Sequence, residues 1–85
     1  MPNPGPILIV DDEANIRQSL EGVLADEGYS CVLAKDGADA IAALQSVEPS
    51  LVLLDIWMPG MDGIETLRHI KELRPGIPVV MMSGH

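Results

Sequence analysis

Two places in this 85-residue chain put carboxylates where a fold could use them. The pair Asp11-Asp12 directly follows the apolar run Ile7-Leu8-Ile9-Val10, and Asp55 directly follows Leu51-Val52-Leu53-Leu54. Ser83 stands in the same relation to a further run, Val79-Val80-Met81-Met82. If these runs are strands of one parallel sheet, all four side chains fall at its carboxyl edge, where open α/β sheets carry their functional crevice. With the first and third strands as neighbours, three carboxylates converge within about 5 Å, and at an effective dielectric of ~20 each pair repels by roughly 3 kcal/mol. A fold tolerates such a cluster when something cationic sits in it. Carboxylate oxygens, completed by a backbone carbonyl and water, suit Mg2+ better than Zn2+, which prefers His and Cys.

Each of these residues also has a plainer reading. An Asp pair ahead of a helix is often an N-cap with dipole-favoured acid in the first turn. Asp55 resists that reading, because a carboxylate ending an apolar run is costly unless hydrogen-bonded or metal-bound. Ser83 before Gly84 reads by itself as a turn residue. Trp57, Met58 and Met61 read as loop packing, and Glu13 and Lys35 as solvated charges. His85 is assigned no role.

The elements that must position the acids follow from periodicity. Together with Cys31-Val32-Leu33-Ala34 there are four short apolar runs, three of them continuous, as expected of strands covered on both faces. Their spacing fits a strand plus a crossover helix. From Ala14 to Glu27, Ile16, Leu20, Val23 and Leu24 fall on one helical face, and Gly28 supplies the stop. From Ala38 to Val47, Ile41, Ala42 and Leu44 make a weaker stripe that ends before Pro49. From Gly63 to Leu73, Ile64, Leu67 and Ile70 face one way, with Asp62 and Glu65 spaced as a capping box and Pro75-Gly76 closing the helix. The order β-α-β-α-β-α-β specifies an open, doubly wound α/β sheet. The sequence stops just after the fourth strand, so an incomplete sheet is expected.

Composition narrows the function. A chain of this length holds one small domain, taken as 1–85, with residues 1–6 as a flexible N-terminal arm. A hydrophobic fraction of 47% requires a packed core rather than a disordered acidic tail, and with no Phe, one Trp and one Tyr that core must be aliphatic. Thirteen Asp and Glu against five Lys and Arg, a net charge of −8, argue against direct nucleic-acid contact and leave divalent cations and basic protein surfaces as natural partners. Cys31 stands alone, so no internal disulfide can form. The start Met1-Pro2-Asn3-Pro4-Gly5-Pro6 has no signal-peptide pattern, and no apolar run approaches the ~18–20 residues of a membrane span. A cytoplasmic location is expected.

Three strings carry a resemblance: Val10-Asp11-Asp12-Glu13; Leu54-Asp55-Ile56-Trp57-Met58-Pro59-Gly60-Met61-Asp62-Gly63; and Met82-Ser83-Gly84. Over essentially the whole chain they resemble the receiver domain of bacterial two-component response regulators, and within it the NtrC/NtrX-like sigma-54 activators. The resemblance implies a flavodoxin-like sheet with strand order 2-1-3-4. It implies that Asp55 is the phosphoacceptor, taking a phosphoryl group from a histidine kinase. It implies Mg2+ held by Asp12, Asp55, Asp11 through water, and the backbone carbonyl of Trp57. Ser83 matches the phosphate-sensing switch, and Pro59 and Gly63 match the residues that shape the loop after the third strand. The family's fifth βα unit and its Lys have no counterpart in the 85 residues, and neither Lys35 nor Lys71 is a sensible substitute. Impaired phosphorylation is therefore expected, as is self-association through an exposed fourth strand, Ile77 to Ser83. Such a module is not an enzyme. Two other readings compete: a self-associating structural fragment with a vestigial site, and a small Mg2+-dependent phosphohydrolase, which would need a second acid where Trp57 stands.

Overall fold

The computed structural model describes residues 5–58 and 62–82. Strands and helices alternate as β1 (Ile7–Val10), α1 (Ala14–Asp26), β2 (Cys31–Ala34), α2 (Gly37–Ala43), β3 (Leu51–Asp55), α3 (Gly63–Leu73) and β4 (Val79–Met82). The sheet order is β2-β1-β3-β4 and every pairing is parallel. Ile7 to Val10 align with Cys31 to Ala34 on one side and with Leu51 to Leu54 on the other, while Asp55 aligns with Met82. The α/β class and the strand order are those expected.

Right-handed crossovers dictate the layering. The chain steps one way from β1 to β2 and the other way from β3 to β4, so direction reverses between β1 and β3. Helix α1 packs on β1 and β2, and α2 and α3 pack together with α2 on β2 and α3 on β3. Leu8, Val10, Ala34, Val52 and Leu54 join Ala40, Leu44, Met58, Ile70 and Ile77 in one buried cluster, which contains no aromatic residue. Central β1 is buried throughout, whereas on β4 Val80 is 48% exposed.

Local chemistry sets the ends of the helices. Gly28 adopts φ +93, and the amides of Gly28 and Tyr29 bond the Ala25 and Leu24 carbonyls, closing α1 with a left-handed cap that suits Gly. The Asp62 carboxylate accepts the Glu65 amide at 2.8 Å and starts α3. Helix α2 begins one residue earlier than its apolar stripe suggests, because Asp36 caps it by accepting the Asp39 amide. It also ends at Ala43 rather than Val47: the Gln45 and Ser46 amides turn back to Ala42 and Ala43, and Arg74 Nη2 takes the Leu44 carbonyl at 2.8 Å.

Three apolar stripes are corrected in part. Val23 on α1 is 63% exposed, Ile64 on α3 is 54% exposed, and Ala40 on α2 and Leu44 at its C-cap are buried while Ala42 faces solvent. The flexible arm expected over residues 1–6 is also narrowed. Ser50 donates its hydroxyl to the Gly5 carbonyl and its amide to the Pro6 carbonyl, tying residues 5 and 6 to the start of β3. Residues 1–4 lie outside the described residues.

Candidate functional site

The chain direction reverses between β1 and β3, the place where open α/β sheets carry their functional crevice, and three of the acids predicted from sequence meet there at the carboxyl ends of the strands. One carboxylate oxygen from each of Asp11, Asp12 and Asp55 lies within 4.8 Å of the other two. Asp11 and Asp55 are 2% and 1% exposed, and Asp12 is open to solvent.

Asp11 is fixed through its backbone and its side chain. Its amide donates to the Ala34 carbonyl at 3.1 Å, continuing the pairing of β1 with β2 past the strand end. Its Oδ1 accepts the Glu13 amide at 2.9 Å, and its backbone carbonyl accepts Arg17 Nη1 at 2.7 Å. The plainer reading of the Asp pair as an N-cap does not hold: the cap position of α1 is Glu13, with no side-chain capping bond. Asp55 closes β3, and its Oδ1 accepts the Trp57 amide at 3.1 Å, a bond that turns the chain at once out of the strand.

Gly63 brings α3 against that turn. Its amide donates to the Ile56 carbonyl at 3.0 Å, and a Cβ added there would lie 2.5 Å from both the Asp55 carbonyl oxygen and Ile56 Cα. Only a residue without a Cβ allows the helix so close to the backbone that carries Asp55. Trp57 is 64% exposed, correcting its reading as loop packing, while Met58, read the same way, packs from the loop into the buried core cluster. Pro59, Met61 and Ser83 lie outside the described residues.

The donor set fits a hard divalent cation. Three carboxylate oxygens, two of them on buried residues, lie within 4.8 Å of one another without a His or Cys in the cluster, and two unit negative charges at that separation would repel by roughly 3 kcal/mol at an effective dielectric of ~20. A bound Mg2+ converts that repulsion into attraction and accepts hard oxygen ligands. The opposite edge of the sheet has a groove of about 490 Å³ between Glu48–Ser50 and Leu73–Pro78, remote from the acids. Sequence reasoning missed Arg17 and Asp36. The spacing of Asp36 and Asp39 could have revealed the second; a basic residue five positions after an Asp pair is no recognised signal.

Comparison with known proteins agrees with this geometry. The response regulator receiver domain family matches residues 7–85. The nitrogen assimilation regulatory protein NtrX of Azorhizobium caulinodans is 49% identical over 81 residues, covering 93% of this chain and 18% of that protein. The crystal structure of the receiver domain of NtrX from Brucella abortus superposes with a TM-score of 0.88 at 48% identity, covering 93% of this chain and 68% of that one. The response regulator TrrA from Thermotoga maritima, solved in complex with Mg(2+)-BeF, gives a TM-score of 0.88 at 36% identity, covering 94% of this chain and 70% of that one. The chain thus spans less than a fifth of the length of the curated NtrX relative. Among the described residues, no helix is long and apolar enough to cross a membrane.

Proposed function

This chain belongs to the response regulator receiver family, and from that membership we propose that it serves as a cytoplasmic phosphoacceptor module whose receiving group is Asp55. The observation that carries the proposal is the meeting of Asp11, Asp12 and Asp55 at the end of the central strands. Asp55 has one carboxylate oxygen held by the Trp57 amide, which leaves the group oriented rather than free to rotate. An oxygen of that carboxylate attacks the phosphorus of a phosphohistidine on a histidine kinase. A P–O bond forms, the P–N bond breaks, and the electron pair leaves on the imidazole nitrogen, which takes up a proton. The chain's contribution is positioning and charge, the main requirements of phosphoryl transfer.

Asp11, Asp12 and Asp55 would hold Mg2+, with the Trp57 carbonyl as a further ligand; TrrA, solved with Mg(2+)-BeF, supports carrying this metal to the chain. When bound, Mg2+ supplies neutralisation of the charge gathered on the phosphoryl and carboxylate oxygens. Ser83 follows β4 in the sequence and is assigned the hydroxyl that bonds the aspartyl phosphate. Incubation with a kinase domain carrying labelled phosphohistidine tests the reading. Weak labelling that is released by hydroxylamine and lost in Asp55→Asn is expected, in line with the impaired transfer read from the sequence; label that persists in Asp55→Asn overturns the assignment.

A second reading rests on β4. It is an edge strand among the described residues, with Val80 about half exposed, and unpaired apolar edges invite pairing with a second copy. The self-association expected through Ile77 to Ser83 narrows to β4, Val79–Met82, because Ile77 is buried in the core; it predicts a dimer by light scattering that Val80→Lys disperses, and a monomer at high concentration overturns it.

A further inference from the structure

Of the three acids, Asp12 has the least to hold it. Its carboxylate is solvent-exposed, and among the described residues no hydrogen bond fixes it, so its place depends on the backbone it grows from. That backbone is the peptide joining Asp11 to Asp12, whose carbonyl oxygen receives the guanidinium of Arg17 at 2.7 Å. Arg17 is half-buried and projects from the first turns of α1, six residues beyond the carbonyl it binds. The Ala34 carbonyl holds the amide of Asp11 and the Glu13 amide holds its side chain, while the Arg17 bond fixes the plane of the peptide that follows.

We infer that Arg17 is a positioning residue for the acidic site: by holding the Asp11 carbonyl it sets the peptide from which Asp12 projects, and so keeps the Asp12 carboxylate within reach of a cation shared with Asp11 and Asp55. The inference rests on the cation-binding reading of the cluster. The position of Arg17 argues against a purely electrostatic role. A guanidinium close to a site for a divalent cation repels that cation, so as a bare charge Arg17 would weaken binding. Its presence makes sense when the order it imposes on the ligands outweighs that repulsion. Groups that orient metal ligands without touching the metal are worth about tenfold or more in affinity.

The two roles give opposite signs on substitution, which makes the test decisive. Mg2+ is titrated into the parent chain, Arg17→Met and Arg17→Lys, with Trp57 fluorescence as the signal and circular dichroism confirming that each is folded at the working temperature. Positioning predicts about tenfold weaker Mg2+ binding in Arg17→Met, with part of the affinity restored in Arg17→Lys, which keeps a donor for the carbonyl. Unchanged or tighter binding in Arg17→Met overturns the inference. So does a fall in melting temperature with no change in affinity, the mark of a merely structural clip. A parent chain that does not respond to Mg2+ at all overturns the cation-site reading itself, and this inference with it.

Discussion

Replacing Gly63 with Ala tests the coupling between the start of α3 and the strand end that carries Asp55. The added methyl would stand 2.5 Å from the Asp55 carbonyl oxygen, 2.5 Å from Ile56 Cα and 2.8 Å from the Ile56 carbonyl oxygen. All three are backbone atoms, so no side chain can swing aside. Either α3 retreats, losing the bond from the Gly63 amide to the Ile56 carbonyl, or the Asp55–Trp57 turn shifts. Overpacking costs about 1–3 kcal/mol, and rigid neighbours place this site toward the top of that range. The better helix propensity of Ala returns at most about 1 kcal/mol, so a net loss near 2 kcal/mol is expected. For a domain of this size that corresponds to a fall of roughly 10 °C in melting temperature. Thermal unfolding followed by circular dichroism reads the loss. The same push on the Asp55 backbone predicts weaker Mg2+ binding in the folded fraction. A Gly63→Ala chain as stable as the parent, with unaltered Mg2+ affinity, would refute the close approach.

Three further outcomes are expected. Asp36→Ala removes the cap of α2 and should cost about 1 kcal/mol in urea denaturation, with Asp36→Asn or Asp36→Ser recovering most of it. Arg74→Met leaves the Leu44 carbonyl without its guanidinium donor where α2 meets α3, and should destabilise by about 1–3 kcal/mol by the same measurement. Burial, and after it the Glu21 carboxylate, push the Cys31 thiol above its ordinary value, so the folded chain keeps the thiol proton to higher pH than the unfolded chain. The stability linked to Cys31 is therefore full below the thiol's ordinary range and is lost as pH rises through the raised value. The urea midpoint should fall across that window in the parent by more than in Cys31→Ala.

The strands could be read almost to the residue because each is a short apolar run bounded by Pro, Ser or a charged residue. β3 runs one residue further, to Asp55, since the ladder to β4 continues past it through the Ile56 amide and the Met82 carbonyl. The end of α2 could not be read locally. It is set by Arg74, which lies 30 residues away and takes the carbonyl that another turn of helix would have used. Val23 and Ile64 sit at helical spacing with their neighbours yet remain exposed, because periodicity gives the direction of a stripe and not the width of the surface beneath it. The three acids were legible because each stands at a strand end, and strand order alone brings them together. Arg17 was not, because its contact links a helix to the loop before it and leaves no pattern in the chain.

The gathering of Asp11, Asp12 and Asp55 around one cation is tested most directly by calorimetric titration of the chain with Mg2+. The expected result is a single ion bound per chain, with binding abolished in Asp55→Asn and sharply weakened in Asp12→Asn while both variants stay folded. Absence of a binding isotherm in the parent, or an isotherm that survives unchanged in Asp55→Asn, would contradict it.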